Sequence, residues 1–106
     1  MLRVSFRRVK PGKEPQLRAW LEQLSARADE VRATFADETV RHEQAFILET
    51  TEGRILVWVT DAERGRQAFA RSHHAIDEEH KRIMAECVGG GLNVQRLYDV
   101  ALEEDN

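Results

Sequence analysis

Apolar and polar residues alternate from the start of the chain, with Leu2, Val4 and Phe6 set against Arg3, Ser5 and Arg7. That is the period of a half-buried strand. Lys10-Pro11-Gly12-Lys13 then reads as a turn, because proline fixes φ and glycine tolerates a positive φ. Pro15 suits the first turn of a helix, where its missing N–H has no partner to lose. Leu17, Trp20, Leu21, Leu24, Ala28, Val31 and Phe35 recur at three- and four-residue steps to about Ala36. Arg18, Glu22, Arg27, Glu30 and Arg32 fall mainly on the other side, so the spacing predicts one amphipathic helix. Trp20 reads as a core anchor whose indole N–H needs a partner when buried.

Val40 to Thr50 is rich in β-branched and aromatic residues, and Thr51-Glu52-Gly53 reads as a hairpin turn into a strand from Arg54 to Thr60. One residue of slip moves every side chain to the other face. The sequence leaves open whether residue 50 or 51 pairs with 54, and with it the faces of His42, Glu43 and Trp58. Thr60-Asp61-Ala62-Glu63 matches a capping box and predicts a second helix running to about Val88. Gly89-Gly90-Gly91 is then expected as its C-cap and linker. Alternation resumes from Leu92 to Val100, the pattern of a fourth strand, and the tail Glu103 to Asn106 is expected to fray.

The order β-α-β-β-α-β predicts an α+β, ferredoxin-like sandwich, a four-stranded antiparallel sheet with both helices on one face. With 106 residues, 42% of them hydrophobic, residues 1–106 are expected to form a single domain around one modest core. The opposite face of the sheet has no cover within the chain, yet Ile55 to Val59 is apolar at five successive positions. Each side chain such as Ile55 or Val57 left in water forfeits about 1.5–3 kcal/mol. A homodimer, sheet face to sheet face, is the expected remedy.

Charge and composition narrow the partners. A net charge of −3 and a pI near 5.8 argue against nucleic acid. Arg3, Arg7, Arg8, Lys10 and Lys13 read as a solvated strand edge. One cysteine excludes an intramolecular disulfide and fits a reducing cytoplasm. No signal peptide is expected, since Met1 runs directly into a strand pattern, and no apolar run is long enough to span a bilayer. No nucleotide, flavin or nicotinamide motif is present, so no tightly held organic cofactor is expected.

Candidate chemistry concentrates in Ala68 to Cys87, which carries three of the four histidines. At helical spacing Phe69, Ile76, Ile83 and Cys87 form one stripe, and His80 lies inside it. His73 joins the stripe only if the helix runs unbroken past Ala75. Asp77 is three residues before His80 and four after His73, within reach of either ring. His80 as proton carrier with Asp77 as its orienter is the candidate catalytic pair. His73, His74, Trp58 and Tyr98 are candidates for contacting a ligand. A structural pair that only holds the helix in register is the alternative. No metal site is expected: His73 and His80 stand roughly 10 Å apart along a helix axis at 1.5 Å per residue, too far to converge on one ion.

The element order, with Pro11-Gly12-Lys13 after the first strand, resembles the dimeric α+β barrel superfamily. That superfamily includes cofactor-independent monooxygenases, lactone isomerases and proteins without known activity. Ser72-His73-His74-Ala75-Ile76-Asp77-Glu78-Glu79-His80 is also similar to a Ser-x-His-Pro-Ile-Asp-x-x-His element of an uncharacterised bacterial family. The resemblance matches Ser72, His74, Ile76, Asp77 and His80, with Ala75 in place of the family's proline. It implies a small dimer with a ligand pocket near His80 and Asp77, or an enzyme of isomerase, lyase or monooxygenase type, and it supplies no reaction.

Overall fold

The computed structural model describes residues 1–63 and 74–102. Within them the chain runs β1 (Leu2–Val9), α1 (Glu14–Ala26), α2 (Ala28–Glu38), β2 (Val40–Thr50), β3 (Gly53–Ala62), α3 (Ala75–Cys87) and β4 (Val88–Gly91). The strands form one antiparallel sheet in the order β2-β3-β1-β4, compatible with a ferredoxin-like fold.

Four expectations are corrected. The single first helix is two, broken at Arg27, whose N–H bonds both Gln23 and Leu24 carbonyls. No glycine or proline marks that point. The guanidinium of Arg27 pairs with Glu30 at 2.7 Å and reaches across to Glu79 of α3 at 2.8 Å, a tertiary contact invisible to periodicity. The capping-box residues Thr60 to Ala62 belong to β3 instead, because β1 and β2 flank them and satisfy their backbone on both sides. The rest of the expected helix start, with Phe69, Ser72 and His73, lies outside the described residues, as does the tail from Glu103.

Gly89 to Gly91 are no linker: with Val88 they are β4 itself. α3 ends directly into extended backbone at Val88, and the free edge of β1 supplies the partners. Conversely, Leu92 to Val100 forms no strand among the described residues, although the Leu2–Ser5 edge of β1 lies beside it. One bond, Leu92 N–H to the Phe6 carbonyl at 2.7 Å, is its last ladder contact.

The two turns follow their residue types. Gly12 (φ 77°) closes the Lys10–Lys13 turn with a 3.1 Å hydrogen bond, and Gly53 (φ 126°) closes the hairpin. Thr50 pairs with Gly53 and Glu49 with Arg54, so residue 54 pairs with neither 50 nor 51, the two alternatives considered from sequence. That register decides the faces. One side of the sheet carries the rows Arg7–Leu56–Ile47, Ser5–Trp58–Ala45 and Arg3–Thr60–Glu43. The other carries Phe6–Val57–Phe46, Val4–Val59–Gln44 and Leu2–Asp61–His42.

The core sits on the first side, where Leu56 packs with Leu17 of α1 and with Met84, Cys87 and Val88 at the end of α3. Leu17 and Cys87 are fully buried. On the second side Leu2, Val4, Phe46 and Leu48 remain exposed.

Candidate functional site

The helices do not close on the sheet along its whole length. Trp58 is flanked across the strands by Ser5 and Ala45, side chains too small to fill the layer beside an indole. Towards the Arg3–Thr60–Glu43 row the space opens into a cavity of about 1080 Å³. Its described walls include Trp58 and Glu43 from the sheet, Glu38 from α2, and Asp77 and His80 from α3. Such a volume suits a small organic molecule.

His80 faces inward. Its ring lies between the two tryptophans of the chain, with centroids 6.1 Å from Trp20 and 5.1 Å from Trp58. The Trp20 indole N–H donates to Nδ1 at 2.9 Å. An Nδ1 that accepts a hydrogen bond must be unprotonated, so the neutral ring carries its hydrogen on Nε2. Burial holds His80 below the usual histidine range; Asp77 acts the other way and Arg7 adds to the depression. His80 is therefore a neutral donor at Nε2, and the group that fixes its tautomer is Trp20.

Asp77 is buried in the first turn of α3, beneath the N-cap His74. The N–H groups of Asp77 and Glu78 both bond the His74 carbonyl there. Glu38 is the last residue of α2, and it is buried against Asp77. Desolvation first, then the charge and hydrogen bond of Asp77, push the Glu38 carboxyl up to about 8. Burial beside Asp77 thus favours the protonated form of Glu38. Glu43 is raised as well, mainly by burial, although it accepts hydrogen bonds from Trp58 and from Thr60 Oγ1 at 3.2 Å. Chemically the cavity offers two adjacent buried carboxyls, a neutral imidazole donor and an indole wall.

The other expected residues fall elsewhere. His74 caps α3 in extended backbone, so α3 begins at Ala75, and its Nε2 pairs with Asp37 at 2.6 Å near the surface. Tyr98 is 83% exposed and does not line the cavity. Arg96 donates to the Leu2 carbonyl and pairs with Asp99 at 3.5 Å. His42 lies on the open face, while Glu43 points to the helices. His73 lies outside the described residues. Among the described residues no group of histidine, cysteine, aspartate and glutamate has metal-holding geometry. Cys87 is buried and its thiol is pushed up by burial, the behaviour of a small hydrophobe.

Sequence reading missed Glu38. The signal was there: Val31, Phe35 and Glu38 follow the i, i+4, i+7 spacing of the apolar stripe, so a carboxyl stands where a hydrocarbon is expected.

Fold and site together define a small α+β protein with a carboxyl-lined cavity between helices and sheet. The chain belongs to the family of unknown function DUF6176, whose model matches residues 2–104. No curated protein and no solved structure matches it. Among the described residues, no helix is long and apolar enough to cross a membrane.

Proposed function

We propose that this chain is a cytoplasmic, homodimeric small-molecule-binding protein of the dimeric α+β barrel type, with its ligand in the cavity beside His80 and Asp77. The observation that carries the reading is the cavity itself. A space of about 1080 Å³ is far more than a packing defect, and polar groups converge on it from three elements. Dimerisation rests on the open sheet face and on the segment after β4. That segment has strand alternation without a strand partner in its own chain, and leaves Val94, Leu97, Tyr98 and Val100 in water. A second copy set face to face covers both.

The test is a thermal-shift screen of metals, small organic acids, amines and sugars against the wild type, His80→Ala and His80→Gln. The glutamine variant keeps an acceptor for the Trp20 N–H, so it separates lost binding from lost folding. A compound that stabilises the wild type but neither variant supports the site. Variants that lose stability while no compound shifts any form would favour a purely structural His80.

A second reading, a cofactor-independent enzyme of isomerase, lyase or monooxygenase type, is favoured by the adjacent carboxyls of Glu38 and Asp77. A carboxyl raised by burial beside a second carboxyl supplies a candidate acid and base side by side. In that case Asp77 is the base, Glu38 the acid, and His80 Nε2–H a donor to a developing oxyanion. Turnover of a screening hit, abolished in Asp77→Asn while the hit still binds, distinguishes this reading from binding alone.

A further inference from the structure

The first strand is inverted relative to a core strand. Its apolar residues Leu2, Val4 and Phe6 face the open side of the sheet, while Arg3, Ser5 and Arg7 face the helices and line the cavity. Alternate residues of a strand point to opposite faces, so pairing shifted by one residue would put the apolar three under the helices. The observed register keeps the polar row inside and leaves Leu2 and Val4 exposed. Departures of this kind from the apolar-in rule concentrate at functional sites. The solvated edge expected for the basic residues of β1 describes Arg8, on the open side, and not Arg3 or Arg7, which are half-buried.

The row is built to meet a negative charge. Arg7 is set in place by its Nε–H, which donates to the Gly89 carbonyl at 2.9 Å. Among the described residues no carboxylate pairs with Arg3 or with Arg7. The two stand four residues apart on one face, roughly 13 Å between Cα atoms at 3.3 Å per residue, with the Ser5 hydroxyl between them. Two long side chains close that gap from either end. His80, with its hydrogen on Nε2, lines the same cavity, and after burial and Asp77 it is Arg7 that acts on its titration. Glu43 is two strands away from Arg3, and Glu38 comes from α2.

The row is also reachable. β4 pairs with β1 only at Arg7 and Val9, so among the described residues no strand runs beside Leu2–Ser5. Ser5 is accordingly exposed although it faces the helix side. Its cross-strand neighbour is Trp58, whose indole offers a flat apolar wall next to the two guanidinium groups.

We propose that Arg3, Ser5 and Arg7 form an anion subsite of the cavity, and that the ligand is a small organic acid whose carboxylate they hold while its apolar body lies against Trp58. The planar fork of a guanidinium matches a carboxylate with two parallel N–H bonds. The proposal rests on reading the cavity as a ligand site and adds the chemical class of the ligand and the residues that select it.

Benzoate, benzamide and benzylamine share one shape and carry an anion, a neutral group and a cation. Benzoate alone is expected to raise the melting temperature of the intact protein at pH 7. Arg3→Gln, which gives up no hydrogen bond to a described residue, should weaken benzoate about tenfold or more, the worth of one charge-assisted hydrogen bond. Arg3→Lys, which returns the charge without the fork, should bind at intermediate strength. Arg8→Gln removes the same charge from the other face of the strand and should bind like the wild type. Equal weakening in Arg3→Gln and Arg8→Gln, or none in Arg3→Gln, overturns the assignment of the row. Preference for benzamide or benzylamine overturns the anion class and leaves the pocket standing. If no probe binds, the assignment also fails, and the compound screen decides the pocket separately.

Discussion

Burial holds His80 neutral, and a single N–H decides which of its nitrogens carries the hydrogen. With Trp20 donating to Nδ1, protonation of the ring there would require breaking a 2.9 Å hydrogen bond in a buried setting. Trp20→Phe removes the donor and keeps most of the ring. The His80 titration, followed by imidazole NMR signals, should move up towards its ordinary value, and urea denaturation should show a loss of about 1–3 kcal/mol. Imidazole nitrogen signals showing the hydrogen on Nδ1 in the wild type would contradict the assigned tautomer. Glu38 gives a second test, of opposite kind. Its carboxyl is raised from 4.5 to about 8 in the fold, so between those values the native state binds the proton more tightly than the unfolded chain does. Its contribution to stability is full below pH 4.5 and is lost as pH rises through 8. Wild type should therefore lose stability relative to Glu38→Gln between pH 5.5 and pH 8, measured by urea midpoints. Parallel profiles for the two proteins would mean that Glu38 is not protonated in the fold.

At the scale of elements, the site depends on how α2 hands over to β2. Thr39 makes that turn with φ 56°, the left-handed region that a β-branched residue rarely occupies, and Glu38 is delivered to the cavity beside it. Thr39→Gly relieves the Cβ clash and should stabilise the protein by about 1 kcal/mol, seen as a higher melting temperature. A lower one would show that the Thr39 side chain contributes more than its backbone costs. Elements were legible where periodicity acts alone. β1, the hairpin strands and the inward stripe of Ile76, His80 and Ile83 could all be read from spacing. They were illegible where a distant partner decides: the Arg27 break joined to Glu79, the capping box absorbed into β3, and the glycines recruited by the edge of β1. Trp20 as the partner of His80 is sixty residues away in the chain, and no local pattern announces it.

For the whole molecule, the sheet has one dressed side and one bare one. Phe46, on the edge strand β2, is 51% exposed on a face that also presents Val4, Leu48 and Val57. The proposed dimer places its interface on this apolar surface. Light scattering should give twice the 12.2 kDa chain mass at micromolar concentration, and Phe46→Lys should halve it while leaving the fold intact by circular dichroism. A wild-type mass of one chain would remove the dimer from the account.

The chain carries its own reporter for the ligand site, since both of its tryptophans flank His80. Intrinsic fluorescence, titrated with any compound that raises the melting temperature, therefore tests most directly whether the cavity is where binding occurs. A saturable change in emission, weakened at least tenfold in His80→Ala, is the predicted result. A stabilising compound that leaves the emission of both tryptophans untouched at saturation binds somewhere else, and contradicts it.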